Sequence, residues 1–246
     1  MASRPNEFAL TNNFEFDALR EANNYRKALI REFKAHLRGR VLEVGAGIGQ
    51  MTRMIADLPE VDDILGIEPD ADFCDEFKRQ VPQLQLLRCT AEALKADSEW
   101  NAIVSINVLE HIEADQKELT HYRKLLSKRG GRLCLFVPAR PEIYAPIDKD
   151  FGHFRRYTKP ELRGKLEQAG FKIHRLQYFN ITGYFAWWFQ FTLRKQRKFE
   201  IGSVRTFDRY IFPVTNGVES LLPAPPFGQS LIAVAEAGVP KQSVKQ

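Results

Sequence analysis

The sequence predicts an α/β chain, with a mostly parallel sheet covered by helices on both faces. Short β-favouring runs alternate with segments of helical spacing from residue 40 to residue 169, and that alternation implies crossover connections and parallel strands. Residues 102–106 and 132–137 are nearly continuous apolar runs, as expected of strands buried on both faces. A glycine-rich turn, Gly45-Ala46-Gly47-Ile48-Gly49, joins the first strand to the helix that follows it.

Taken in order, Leu19, Tyr25, Leu29, Ile30, Phe33 and Leu37 recur at helical spacing and predict a helix over about 16–38, stopped by Gly39. Strands are expected at 40–44, 63–67, 84–88, 102–106 and 132–137, and helices at 50–58, 71–80 and 115–126. Pro59 closes the helix at 50–58, Gly130-Gly131 the one at 115–126, and Pro138 the strand at 132–137. Thr158-Lys159-Pro160-Glu161 reads as a capping box with Pro in the first turn, opening a helix to Ala169. A strand follows at 171–179. The stretch 180–227 breaks the rhythm with aromatic, then basic, then proline-rich sequence; 230–235 reads as a last strand and the polar tail after Gly238 as frayed.

The chain has 246 residues, 44% hydrophobic and 27% charged, which suits one globular domain over 1–246 with an elaboration. The first eleven residues are polar and carry no signal-like apolar core, and no run reaches the roughly 18–20 apolar residues of a membrane span. Cys74, Cys89 and Cys134 are odd in number and without metal-type spacing, so they read as reduced thiols of a cytoplasmic protein. The net charge of +5 permits an anionic partner without requiring one. Basic excess is local, at 153–157 and 194–198, and no basic stripe with interleaved aromatics predicts a nucleic-acid surface.

Glycine lets a chain leave a strand sharply and lets a ligand approach the backbone, and the next helix offers free N–H groups. A dinucleotide site would place a third glycine at position 50, which is Gln50; this argues against a nicotinamide-dependent oxidoreductase. Glu68 stands at the end of the second strand, about 20 residues past the turn, where a carboxylate can accept from a ribose diol.

Together, Val41-Leu42-Glu43-Val44-Gly45-Ala46-Gly47-Ile48-Gly49, Gly66-Ile67-Glu68-Pro69, residues 89–94, 101–112 and 130–138 resemble the successive motifs of class I S-adenosylmethionine (SAM)-dependent methyltransferases. The resemblance spans roughly residues 25–169. It implies a Rossmann-like seven-stranded, mostly parallel sheet with an antiparallel last strand, SAM as methyl donor, and no metal. Gly45, Ala46 and Gly47 would approach the methionine part, with Glu43 holding the turn and reaching its amino group. Glu68 and Pro69 would serve the ribose. Ala91 and Glu92 would border adenine, Asn107 and Val108 would line the methionine side, and Tyr25 would cover the cofactor. Two departures stand out: Asn101 and Thr90 occupy positions where many members carry Asp.

SAM is already activated, so a base is needed only for a protonated acceptor. The candidates are His111, His153 and Tyr157, with a structural role as the alternative for His111. In the loop after the fifth strand, Arg155 and Arg156 could clamp an anionic group or simply pair with nearby acids, and Tyr144, Trp187 and Trp188 complete the candidate acceptor contacts. The stretch 180–227 has three readings: an aromatic lid, a membrane contact with aromatics inward and basic groups at the headgroups, or an ordinary packing helix. The expected function is methyl transfer to O or N of a small molecule, with sugar- or lipid-linked acceptors and secondary metabolites included. The expected state is a monomer or homodimer in the cytoplasm, with peripheral membrane association through that stretch. The rival outside catalysis is a SAM-binding scaffold whose acceptor cavity is filled by side chains.

Overall fold

The computed structural model describes residues 21–96, 99–127, 130–221 and 224–238. Residues 16–20 of the expected first helix and the tail after Gly238 lie outside them. Seven strands form one sheet: β1 (Gly39–Val44), β2 (Val61–Ile67), β3 (Gln85–Leu87), β4 (Ala102–Ile106), β5 (Arg132–Pro138), β6 (Phe171–Phe179) and β7 (Ser230–Ala237). Their order is β3-β2-β1-β4-β5-β7-β6. Strands β1 to β5 are parallel, and β7 runs antiparallel to both β5 and β6.

Helices α1 (Asn23–Phe33), α2 (Gln50–Ala56), α3 (Ala71–Gln80), α4 (Asp115–Leu125) and α6 (Lys159–Gln168) fall where the spacing places them; a five-residue α5 (Pro146–Asp150) was not expected. The start of α6 is capped as its sequence implies, with Thr158 Oγ1 accepting from the Glu161 backbone N–H at 3.2 Å. Successive strand residues point to opposite faces, and both faces are covered. Leu42, Ile103, Leu133 and Leu135 pack with Tyr122 of α4 and Leu162 of α6. On the other face Val41, Val104, Cys134 and Phe136 pack with Leu29 and Phe33 of α1. Each such fully buried Leu, Ile or Phe contributes roughly 1.5–3 kcal/mol, so it is the two apolar faces of the sheet that fix the layers.

The stretch 180–227 is helical over most of its length. Helix α7 (Ile181–Trp187) continues into a wider, π-type turn at Trp188–Leu193. Helices α8 (Ile201–Thr206) and α9 (Phe212–Glu219) are joined through a second such turn at Phe207–Ile211. Two buried carboxylates lock this stretch to the body. The N-cap of α1 is Ala22, which has no side-chain acceptor; Asp208 supplies one from afar, accepting from the backbone N–H of Asn24 (2.9 Å) and Tyr25 (2.8 Å). Glu219 adds to the cap of α7, accepting from Asn180 (2.7 Å) and Ile181 (2.9 Å), while the Asn180 side chain itself accepts from the Gly183 N–H (2.8 Å). No helix among the described residues is long and apolar enough to cross a membrane.

Candidate active site

The strand order reverses between β1 and β4, and the crevice at such a switch point is where open α/β sheets bind ligands. The glycine turn leaves β1 here with Gly45, Gly47 and Gly49 all at positive φ (73°, 51° and 84°). A Cβ on Gly45 would lie 2.3 Å from Val108 Cγ2, so the turn packs directly on the segment leaving β4. The Gly45 and Ala46 N–H groups donate to the Ile67 carbonyl at 2.9 and 3.0 Å, tying the turn to the end of β2.

Glu68 is buried, and each of its oxygens takes one backbone N–H: Oε2 from Gly47 and Oε1 from Asp70, both at 3.0 Å. A carboxylate has about four acceptor positions, so capacity for a diol remains after this turn-stapling role. Glu43 is also buried, and its Oε2 has no hydrogen-bond partner among the described residues. Burial pushes its pKa up to about 8. A cradle closed to any Cβ and a buried carboxyl short of a donor fit the aminoacid end of SAM. Asn101, standing where many relatives carry Asp, accepts from the Arg40 N–H through Oδ1 at 2.8 Å; the neutral amide suffices for that bond. Ala91 is buried, with its carbonyl bound to His121 Nε2 at 2.7 Å, while Glu92 and Pro69 are exposed at the rim. Glu68→Ala is expected to weaken SAM binding more than about tenfold by calorimetry, through loss of charge-assisted bonds and of the turn's staple; unchanged affinity would place the ribose elsewhere.

Beyond the crevice lies a cavity of about 210 Å³. Asn107, Phe136, Pro138, Asn180 and Ser230 form its floor at the strand ends, and Trp187 and Phe191 belong to its roof. Asn107 occupies the left-handed region (φ 52°), which turns the chain at the end of β4. Tyr25, expected to cover the cofactor, sits in α1. Its ring packs against Phe179 (5.5 Å) and Phe212 (5.0 Å) and lines this cavity, and its hydroxyl bonds Ser230 and Asn180.

One wall is built around Asp148, which is fully buried. Its Oδ1 meets His153 Nδ1 at 2.9 Å and Arg156 Nε at 2.8 Å, and its Oδ2 accepts from the Ala145 N–H at 2.8 Å. These partners hold the carboxyl below its usual range although burial opposes them. Arg156 also donates to the Ala139 carbonyl (3.2 Å) and lies over the Trp187 ring at 4.3 Å. His153 and Arg156 therefore form one cavity wall, with Trp187 of the roof packed on it.

The other candidates lie elsewhere. Tyr157 is fully buried, with its hydroxyl 2.9 Å from Asp115 Oδ2. Burial and that neighbouring carboxylate raise its pKa far above the physiological range, so it is a core residue and not a base. Arg155 points away from its neighbour and pairs with Asp115 at 2.7 Å. Trp188 faces outward, one helical step from Trp187. Tyr144 is half-exposed and donates to the His153 carbonyl at 2.7 Å, buttressing the wall from outside. His111 stands beside His153, ring centroids 4.7 Å apart and edge to face; desolvation and that neighbour lower its pKa to about 4. Sequence reasoning passed over Glu110, Asn180 and Asp208 as site residues. A single acid among the aromatics of 207–212, next to Arg209, gave little signal for Asp208.

The sheet order, the glycine turn and the acid after β2 define a class I methyltransferase. A methyltransferase-domain family model matches residues 18–176, and the chain belongs to that family. Solved structures with the same fold include a Bacillus halodurans protein assigned as a methyltransferase (18% identity, 85% of this chain and 98% of that one, TM-score 0.60). Others are a SAM-dependent methyltransferase of Mesorhizobium loti (16%, 85% and 97%, 0.57) and one of Archaeoglobus fulgidus (15%, 93% and 98%, 0.57). No curated protein matches the chain.

Proposed function

We propose that the chain transfers the methyl group of SAM to a small acceptor with a substantial apolar part. The observation that carries this reading is the cavity beside Asn107, roofed by α7 and α8 and walled by His153 and Arg156. A SAM-binding scaffold would have that space filled by side chains, whereas about 210 Å³ is left for a ligand. When bound, SAM supplies a sulfonium-activated methyl group. The chain's own task is to position the acceptor and exclude water. Tyr25, Phe136 and Trp187 give the acceptor an apolar bed, and His153, fixed by Asp148, is the imidazole presented to its polar end. The test is a panel of phenolic, carboxylate, amine and lipid-linked acceptors with methyl-labelled SAM. Label transfer to an apolar-bodied member is expected; tight SAM binding with no transfer to any would favour the scaffold.

The outer face of the roof supports a lipid-linked acceptor. Phe185, Trp188, Phe189 and Leu193 are exposed together, next to exposed Arg194, Lys195 and Lys198. Apolar residues inward and cations at the headgroups is the arrangement of a surface-bound amphipathic segment. At about 1 kcal/mol per basic residue, these three cations predict on the order of 100-fold tighter binding to phosphatidylserine than to phosphatidylcholine vesicles. Co-sedimentation should be lost in the Trp188→Ser, Phe189→Ser double variant. Equal partition to both lipids, or full binding by the variant, would remove the membrane from this reading.

A further inference from the structure

Glu110, His111 and His153 place one carboxylate oxygen and two imidazole nitrogens within 4.8 Å of one another, at the edge of the acceptor cavity. We propose that these three residues bind a divalent first-row transition-metal ion whose open coordination positions take a hydroxyl or phenol oxygen of the acceptor. The second half of that statement rests on the methyl-transfer reading; the first does not.

The His153 imidazole is oriented as a metal ligand is. The Nδ1 of His153 is engaged by Asp148 at 2.9 Å, which leaves Nε2 for an ion. The His111 ring meets that of His153 edge to face, with centroids 4.7 Å apart. A protein acceptor on the far nitrogen fixes the tautomer and strengthens the ligand, and the Asp148–His153 pair is a carboxylate–histidine arrangement of this kind. The two loops that carry the ligands are stitched together, with the Phe154 N–H donating to the Glu110 carbonyl at 2.8 Å. The third ligand, Glu110, is a fully buried carboxyl.

Ligand atoms at about 2.0–2.2 Å from an ion sit roughly 3–3.5 Å apart, so from a spread of up to 4.8 Å closure requires a contraction of up to roughly 1.3–1.8 Å, within the reach of side-chain rotation. Two nitrogens and one oxygen suit zinc, manganese, iron or cobalt and not calcium or magnesium, which prefer oxygen throughout. Three protein ligands also leave positions open, the mark of a catalytic rather than a structural site. Because His153 lines the cavity, such a position lies beside the acceptor. An acceptor oxygen bound there forms a metal–oxygen bond and gives its proton to water. The ion makes this favourable near neutral pH, as it does for a bound water whose pKa falls from 15.7 to about 7.

The test titrates chelator-stripped full-length protein with Co²⁺, following d–d absorption, and with Zn²⁺ and Mn²⁺ by calorimetry. A single ion is expected, with affinity reduced about tenfold or more in His111→Gln, Glu110→Gln and His153→Gln, each shown by a circular-dichroism melt to be folded. SAM affinity in His111→Gln should equal that of wild type. Absence of d–d bands in wild type, or unchanged ion affinity in His111→Gln, overturns the site even if SAM binds normally. Ion binding that depends on these residues in a protein that ignores SAM would uphold the site and remove the methyl-transfer reading.

Discussion

Asp148→Ala lowers the thermal unfolding midpoint by about 10 °C. The substitution leaves the Arg156 guanidinium buried without its counter-ion, and breaking one side of such a pair costs about 3–5 kcal/mol. In a chain of this size 1 kcal/mol moves the midpoint by roughly 2–4 °C. The Ala145 N–H and His153 Nδ1 lose their acceptor at the same time. Asp148→Asn keeps the shape and two of the acceptor roles and should fall between wild type and alanine. Melts followed by circular dichroism decide the matter. An alanine variant that melts with wild type would show that Arg156 reaches solvent and that the cavity wall is not rigid.

Glu43→Gln makes the protein more stable above neutral pH and less able to hold SAM. Burial raises the Glu43 pKa from 4.5 to about 8. Between those values the folded chain holds a proton that the unfolded chain has released, so wild-type stability falls as pH rises through that window. Each pH unit is worth at most about 1.4 kcal/mol, which allows several kcal/mol across it. The glutamine variant lacks this loss, and its advantage in urea unfolding should grow from pH 5 to pH 8.5. If Glu43 gives up that proton to receive the SAM ammonium, affinity in the glutamine variant should fall about tenfold. A gain in stability set against a loss of binding is the signature of a group retained for its ligand. Parallel pH–stability curves would falsify the assignment.

The sheet was legible because buried parallel strands announce themselves. Residues 102–106 and 132–137 have almost no polar interruption, and the glycine turn and Glu68 mark the switch point by position alone. Direction was not legible. Arg155 and Arg156 are adjacent and identical, yet one faces Asp115 outside the cavity and the other Asp148 in its wall. Tyr157 could not be told from a cavity tyrosine until Asp115, 42 positions away, was seen to claim its hydroxyl. The roof was harder still. Within its run of aromatics, Trp187 and Phe191, four apart, face inward while Trp188 and Phe189 do not. The partner of Asp208 is 184 residues distant, and no local pattern announces such a bond.

That distant bond couples the roof of the cavity to the start of α1. Asp208 closes the amino end of α1 and Glu219 that of α7. Swinging α8 and α9 aside to admit a molecule would strip both helices of their borrowed acceptors and bare four peptide N–H groups at once. Parting α8 and α9 from α1 is therefore a concerted, costly event, and hydrogen exchange at Asn24 and Tyr25 is expected to report it.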